Sequence, residues 1–163
     1  MPSPVDPEQI LSDAIDLLAD EREEEAGVML DAFIATLKGA MNGSDADVAR
    51  HYYWGRALSL MDEWEQALLR FEGALQLDAD HEDSLREIVF ILLDELDRPE
   101  SAKAILEERL LKLNPGHPEY VEALASAEAL IRRREGREVR EWGIESGERG
   151  AESGESGVEA GDP

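Results

Sequence analysis

The chain has 163 residues, room for one domain with a core of its own and a tail. Its 39 acidic and 16 basic residues give a formal charge of -23, which argues against DNA, RNA or anionic lipid as a partner, because phosphate contact needs clustered Lys and Arg. Cysteine is absent, so disulfides, thiol nucleophiles and Cys-type metal sites are excluded. The start, Met1-Pro-Ser-Pro-Val-Asp-Pro, has neither a basic region nor an apolar run, and no apolar stretch is long enough to span a bilayer. The expectation is a soluble cytoplasmic protein. Only Lys38, Lys103 and Lys112 are lysines. Such a surface suits a salty cytoplasm, where ions screen self-repulsion, or serves plainly to keep the protein in solution.

Residues 1–6 are Pro-rich and expected to fray. Asp6-Pro7-Glu8-Gln9 then reads as a helix start, with Asp as cap, Pro in the first turn and Gln reaching back. Ile10, Ala14, Leu17 and Leu18 form one apolar stripe. After the acidic turn at Asp20–Glu25, Ala26, Leu30, Phe33, Ile34 and Leu37 form another, so 7–40 is a helical hairpin. Met41 to Asp47 is a linker, with Ser44 or Asp45 as the next cap.

The stretch 48–81 organises the chain. Trp54, Leu58 and Met61 recur at intervals of three and four on one helix face; Ala67, Phe71, Ala74 and Leu75 do so on a second. Asp62-Glu63-Trp64-Glu65 between them reads as a capping box. Gly55 opposite Ala67 lets the two backbones approach closely. A third hairpin, 82–117, carries Leu85, Ile88, Val89 and Leu92, then a second Asp-x-x-Glu box at Asp97–Glu100, then Ala102, Leu106 and Leu110. It ends at Asn114-Pro115. Pro118 opens a last helix, 118–134, with Tyr120 or Val121, Leu124, Ala127 and Ile131 inward. Arg132-Arg133-Arg134 would complement its dipole at the C-terminus. From Glu135 the composition turns to Gly, Glu, Ser and Arg, so 135–163 reads as a disordered tail, with Trp142 an isolated aromatic in it.

The central spacing, Trp54-Gly55, Leu58, then Ala67-x3-Phe71 and Ala74, resembles the tetratricopeptide repeat (TPR), a helix–turn–helix unit of about 34 residues. Ala79 stands where the family's closing Pro falls. The third hairpin is similar once two single-residue insertions are allowed, and 7–40 resembles a degenerate first repeat. The resemblance implies an all-α fold: a right-handed stack of antiparallel helix pairs, three hairpins capped by 118–134. It also implies that the first helices line a concave groove. Tyr52, Arg56 and Ser59 of the central repeat, Asp83, Arg86, Phe90 and Leu93 of the next, and Glu122 would face it. Arg56 and Arg86 would then be cations offered to a partner's carboxylates, unless Glu87 and Asp83 neutralise them within the chain. Family members that clamp chaperone C-termini carry Lys and Asn where this chain has Tyr52, Arg56, Arg86 and Phe90, which argues against that ligand.

Chemistry beyond binding finds little purchase. His51 reads as a packing residue, and His81 among Asp78, Asp80, Glu82 and Asp83 reads as part of a cap rather than a cation site. His117 stands alone in the third hairpin. No phosphate-cradling Gly loop, His-Glu-x-x-His or nucleophile elbow is present. The expected function is a non-catalytic, cofactor-free adaptor or scaffold that binds a protein or extended peptide segment. Two alternatives stand beside it: a small acidic chaperone similar to those of type III secretion translocators, and a self-associating structural module.

Overall fold

The computed structural model describes residues 5–39 and 45–155, all of them helix or short turn. Among the described residues seven helices follow one another: α1 (Pro7–Ala19), α2 (Glu23–Lys38), α3 (Asp45–Leu60), α4 (Trp64–Leu77), α5 (82–95), α6 (99–113) and α7 (Pro118–Glu155). Two are not uniform. In α5 the α-helix Glu82–Phe90 passes into a π-turn at Ile91–Glu95, and in α6 a π-turn at Leu106–Leu110 divides Pro99–Ile105 from Leu111–Leu113. A π-turn is how a helix absorbs one extra residue without rotating everything beyond it. The third pair was expected to carry two single-residue insertions, and it holds one such turn in each helix.

Among the described residues, substantial packing joins helices adjacent in the chain, with α1 also touching α3. The apolar stripes face inward along this path. All five residues expected on α2 are buried, as are Leu85, Ile88, Val89 and Leu92 of α5 and Ala102, Leu106 and Leu110 of α6. On α1 the buried positions are Leu11 and Ala14, with Ile10, Leu17 and Leu18 half-buried. Tyr120, not Val121, is the inward residue at the start of α7.

The α3–α4 pair is the tightest contact, and it works by pairing a missing side chain with a ring. A Cβ placed on Gly55 would lie 2.6 Å from Cε1 of Phe71, which is itself fully buried. The side chain that occupies the space over Gly55 is thus that of Phe71, a partner the small-residue spacing did not name. Gly73 repeats the device from the other side, where a Cβ would lie 2.7 Å from Nδ1 of His51. Leu58, Ala67 and Ala74 are buried as expected, but Trp54 and Met61 are only half-buried. Trp54 lies at the rim, its ring covered by the guanidinium of Arg70 at 3.8 Å and approached by the Lys38 ammonium at 5.3 Å. A wide indole serves there as a platform for cations.

The turns within the three pairs share one geometry. Glu21, Asp62 and Asp97 each adopt positive φ, at 59°, 59° and 51°. The N–H of the following residue reaches back into the preceding helix: Arg22 to Leu17 O at 2.9 Å, Glu63 to Leu58 O at 3.0 Å, Arg98 to Leu92 O at 2.7 Å. In the first two pairs Glu21 and Asp62 also donate to Leu18 O and Ser59 O, completing the Schellman pattern that satisfies the last carbonyls of a helix. The third loop spans one residue more because the π-turn precedes it. The capping boxes expected at Asp62–Glu65 and Asp97–Glu100 do not form. Both Asp residues sit one step earlier in the motif, and neither α4 nor α6 has a side-chain cap. Asp6 does cap α1, accepting from Glu8 N at 3.1 Å, while Gln9 bonds forward to Asp13 rather than back.

Two boundaries also move. Helix α3 begins at Asp45 rather than 48, because Asp47, buried at 1% exposure, pairs with Arg50 inside the first turn. Residues 1–4 and the Ser44 cap lie outside the described residues. Helix α7 runs to Glu155, past the end expected at 134 and into the stretch read as tail; 156–163 lie outside the described residues. Alternating charges such as Arg134/Glu138 and Arg137/Glu141, four apart, suit a solvated helix. Arg132–Arg134 therefore lie mid-helix, and Arg134 serves a different purpose: it pairs with Asp97 at 2.7 Å and Glu100 at 3.4 Å, pinning α7 to the start of α6.

Two substitutions test this account by urea unfolding. Gly55→Ala should lower stability by about 1 kcal/mol or more, since the clash with Phe71 at ~1–3 kcal/mol outweighs the ~1 kcal/mol helix-propensity gain. Asp62→Gly should raise it by about 0.5–1 kcal/mol, because the left-handed backbone costs a non-glycine residue ~1–2 kcal/mol, partly returned as unfolded-state entropy.

Candidate functional site

The groove residues expected from the sequence fall into two groups. Tyr52, Arg56 and Ser59 are held from within. Arg56 donates to the Tyr52 hydroxyl at 3.0 Å and pairs with Glu87 of α5 at 3.5 Å; Ser59 Oγ donates to Gly55 O at 3.0 Å. The Tyr52 ring lies among Tyr53, Phe71 and His81, at centroid distances of 5.2, 6.0 and 5.4 Å. Burial pushes the Tyr52 phenol up, with the Arg56 bond pulling against it. Burial likewise raises the Glu87 carboxyl more than Arg56 lowers it, so this pair is held in poor solvation.

Arg86, Phe90 and Leu93 belong to the second group and share a cleft of ≈ 160 Å³ between α5, α6 and α7. Its walls also include Val89, Leu106, Leu110 and Ala123, with Asp94, Glu119 and Tyr120 on its margins. Phe90 is 46% exposed, an unusual state for a phenylalanine flanked by buried Val89 and Ile91. Arg86 is tied to Glu119 at 3.1 Å and to Asp83 at 3.6 Å. Both groove arginines are thus neutralised by carboxylates of the chain, the alternative that the sequence left open with Glu87 and Asp83. Glu122 is exposed near the cleft margin.

Polar contacts join alternate helices along this side. Tyr53 of α3 lies beside Glu8 of α1, and its phenol, raised first by burial and then by that carboxylate, is pushed up to about 12. Arg56 bridges α3 to α5, and Arg86 bridges α5 to α7. The Tyr120 hydroxyl donates to Glu82 Oε1, which also accepts from Asn114 at 2.8 Å. The Tyr120 bond is the main cause that lowers the Glu82 carboxyl, while burial and then Glu82 raise the Tyr120 phenol. His117 stacks on Tyr120 at 4.2 Å. On the opposite side Arg98 pairs with Glu65 at 2.5 Å, and Arg109 donates to Ala79 O.

The histidines are accounted for by packing and capping. His51 fills the space over Gly73, and burial lowers its pKa. His81 caps α5, accepting from Ser84 N at 3.3 Å, in place of the neighbouring carboxylates. Among the described residues, no three His, Asp or Glu side chains are placed to hold a metal ion, and no helix is long and apolar enough to cross a membrane.

The α6 and α7 walls of the cleft escaped the sequence reading because Leu106, Leu110 and Ala123 look like ordinary core positions. Only the exposure of Phe90, one residue off the buried stripe of Leu85, Ile88 and Val89, signalled an opening. Comparison with protein-family models and with curated proteins finds no match to the chain.

The Tyr120–Glu82 bond needs a protonated phenol and an ionised carboxylate. Glu82 is lowered, so its share is present above the ordinary value of 4.5 and lost as pH falls through the lowered one. Tyr120 is raised from 10.0, so its share is present below that and lost as pH rises. The difference in Tm between the parent and Tyr120→Phe should be constant between about pH 5 and 9 and shrink at both extremes.

Proposed function

We propose that the chain is a tetratricopeptide-like adaptor, a right-handed stack of three helix pairs capped by the first part of α7. It acts without catalysis by holding a protein segment on the side formed by α1, α3, α5 and α7. Three observations support the stacking. The turns inside the pairs are alike at Glu21, Asp62 and Asp97. Packing runs between neighbours along the chain. Ion pairs from α3 to α5 and from α5 to α7, with Tyr53 of α3 beside Glu8 of α1, follow one side. These are the contacts expected when each unit buries its face on the next.

The observation that carries the binding reading is the cleft below Phe90, apolar at its floor and sized for one bulky side chain. Its charge decides the ligand chemistry. With Arg86 paired to Glu119 and Arg56 to Glu87, the exposed carboxylates nearby are Asp94 of the cleft and Glu122, next in sequence to Ala123 of its wall. The segment that fits places a Leu, Ile, Met or Phe in the cleft and Lys or Arg on either side, and it is not recognised through its carboxylates.

Fluorescence anisotropy with labelled peptides tests this. Peptides with an apolar anchor between basic residues should bind, and acidic versions of the same length should not. Phe90→Ala should weaken binding about tenfold or more, and raising salt from 0.05 to 0.5 M, on the order of three- to tenfold. Equal binding of both peptide classes, or indifference to Phe90→Ala, would remove the reading.

A further inference from the structure

Among the described residues the helices depart from α geometry in two places, and both border the Phe90 cleft. Leu93 and Asp94 of its walls lie inside the α5 π-turn, and Phe90 immediately precedes that turn. Leu106 and Leu110 of its walls are the first and last residues of the α6 π-turn. The widening is carried by the backbone. Leu96 N–H donates to Ile91 O at 2.9 Å, and Leu111 N–H donates to Leu106 O, each reaching five residues back instead of four. Such turns are rare and are frequent at functional sites.

The second pair shows the same contact without the surplus. Leu58 and Leu92 are both buried, and each supplies the carbonyl on which the following turn closes. The closing N–H belongs to Glu63, five residues on, in one pair and to Arg98, six residues on, in the other. The extra residue of α5 therefore falls after Leu92, in the wall of the cleft. Counting from these two leucines, Arg56 stands where α5 has Phe90, and Ser59 where it has Leu93. Those α3 residues are closed off within the chain, Arg56 by Tyr52 and Glu87 and Ser59 by Gly55 O, whereas Phe90 is 46% exposed. The position is open where the surplus is present and shut where it is absent.

We propose that the surplus residues of the two π-turns hold the Phe90 cleft open, so that the site belongs to these turns and not to the helix pair as such. A helix widened on each side of one contact keeps Phe90 and Leu93 from settling onto Leu106 and Leu110, and the gap of ≈ 160 Å³ is what remains between them. That the gap selects a peptide's apolar anchor rests on the binding reading above; that the turns create it does not.

Deletion of Asp94 returns the third loop to the five-residue closure of the first two, and deletion of Glu108 removes the surplus from α6. Both residues are exposed, so neither deletion takes a side chain from the core. The single and double deletions should melt at or above the parent Tm. Apolar cavities of about 150 Å³ take up xenon, which reads the cleft without a peptide. In methyl NMR of the full chain under xenon, Leu93, Leu106 and Leu110 should shift in the parent and stay in place in the double deletion. The peptide with an apolar anchor between basic residues should bind the double deletion about tenfold more weakly or worse. A parent that takes xenon but no peptide removes the binding reading and leaves this one standing. Deletions that take xenon and peptide as the parent does remove this one and leave the binding reading. Single deletions that both unfold, or parent methyls indifferent to xenon, also overturn the proposal.

Discussion

The structure depends on how closely α3 and α4 approach. Two glycines, one on each helix, face rings from the other: Gly55 under Phe71 and Gly73 under His51. The exchange is reciprocal, so neither helix can slide without driving a ring into a backbone. Close-packed interiors tolerate such displacements poorly. From this fixed centre the outward contacts are looser and more polar. The first pair is joined through the α1–α3 and α2–α3 packing, with Tyr53 beside Glu8, and the third through Arg56–Glu87 and Arg98–Glu65.

This distribution sets what the surfaces can do. Ion pairs between exposed groups contribute little each, so the bridges from helix to helix serve orientation more than stability. They also consume the cations. Arg56, Arg86, Arg98 and Arg134 are all engaged with carboxylates of other helices or turns. Arginines paired in this way are not offered to a partner's carboxylates. The stretch at 132–140 is the exception, and only Arg134 of it reaches across to α6.

Much of this fold was legible in the sequence because helical periodicity is a direct record of burial. Ala26, Leu30, Phe33, Ile34 and Leu37 could be read off as one stripe, and the two extra residues of the third pair showed as a phase error. Loop chemistry was harder. Asp-x-x-Glu suggested a cap, yet at Asp62 and Asp97 the left-handed backbone of a helix ending took the aspartate instead. Both uses exploit a short polar side chain, so residue type alone could not separate them. The candidate groove was half legible. Arg86, Phe90 and Leu93 converge on one cleft, but Tyr52, Arg56 and Ser59 are locked by partners four residues away or on α5, which spacing does not reveal. The part of α7 beyond 134 gave no helical signal, because a Gly- and Glu-rich composition lacks a buried stripe and a solvated helix needs none.

The π-turns in α5 and α6 set how this part of the fold accommodates length. An inserted residue would ordinarily rotate every later side chain by about 100° and break the packing beyond it. Here the surplus is confined to a single widened loop of backbone in each helix, and Leu92 and Leu110 remain on the buried side. The third pair thus holds a surplus residue in each helix while the side chains beyond it stay on the core. A change of length there would reach the neighbouring cleft before it reached the α3–α4 contact.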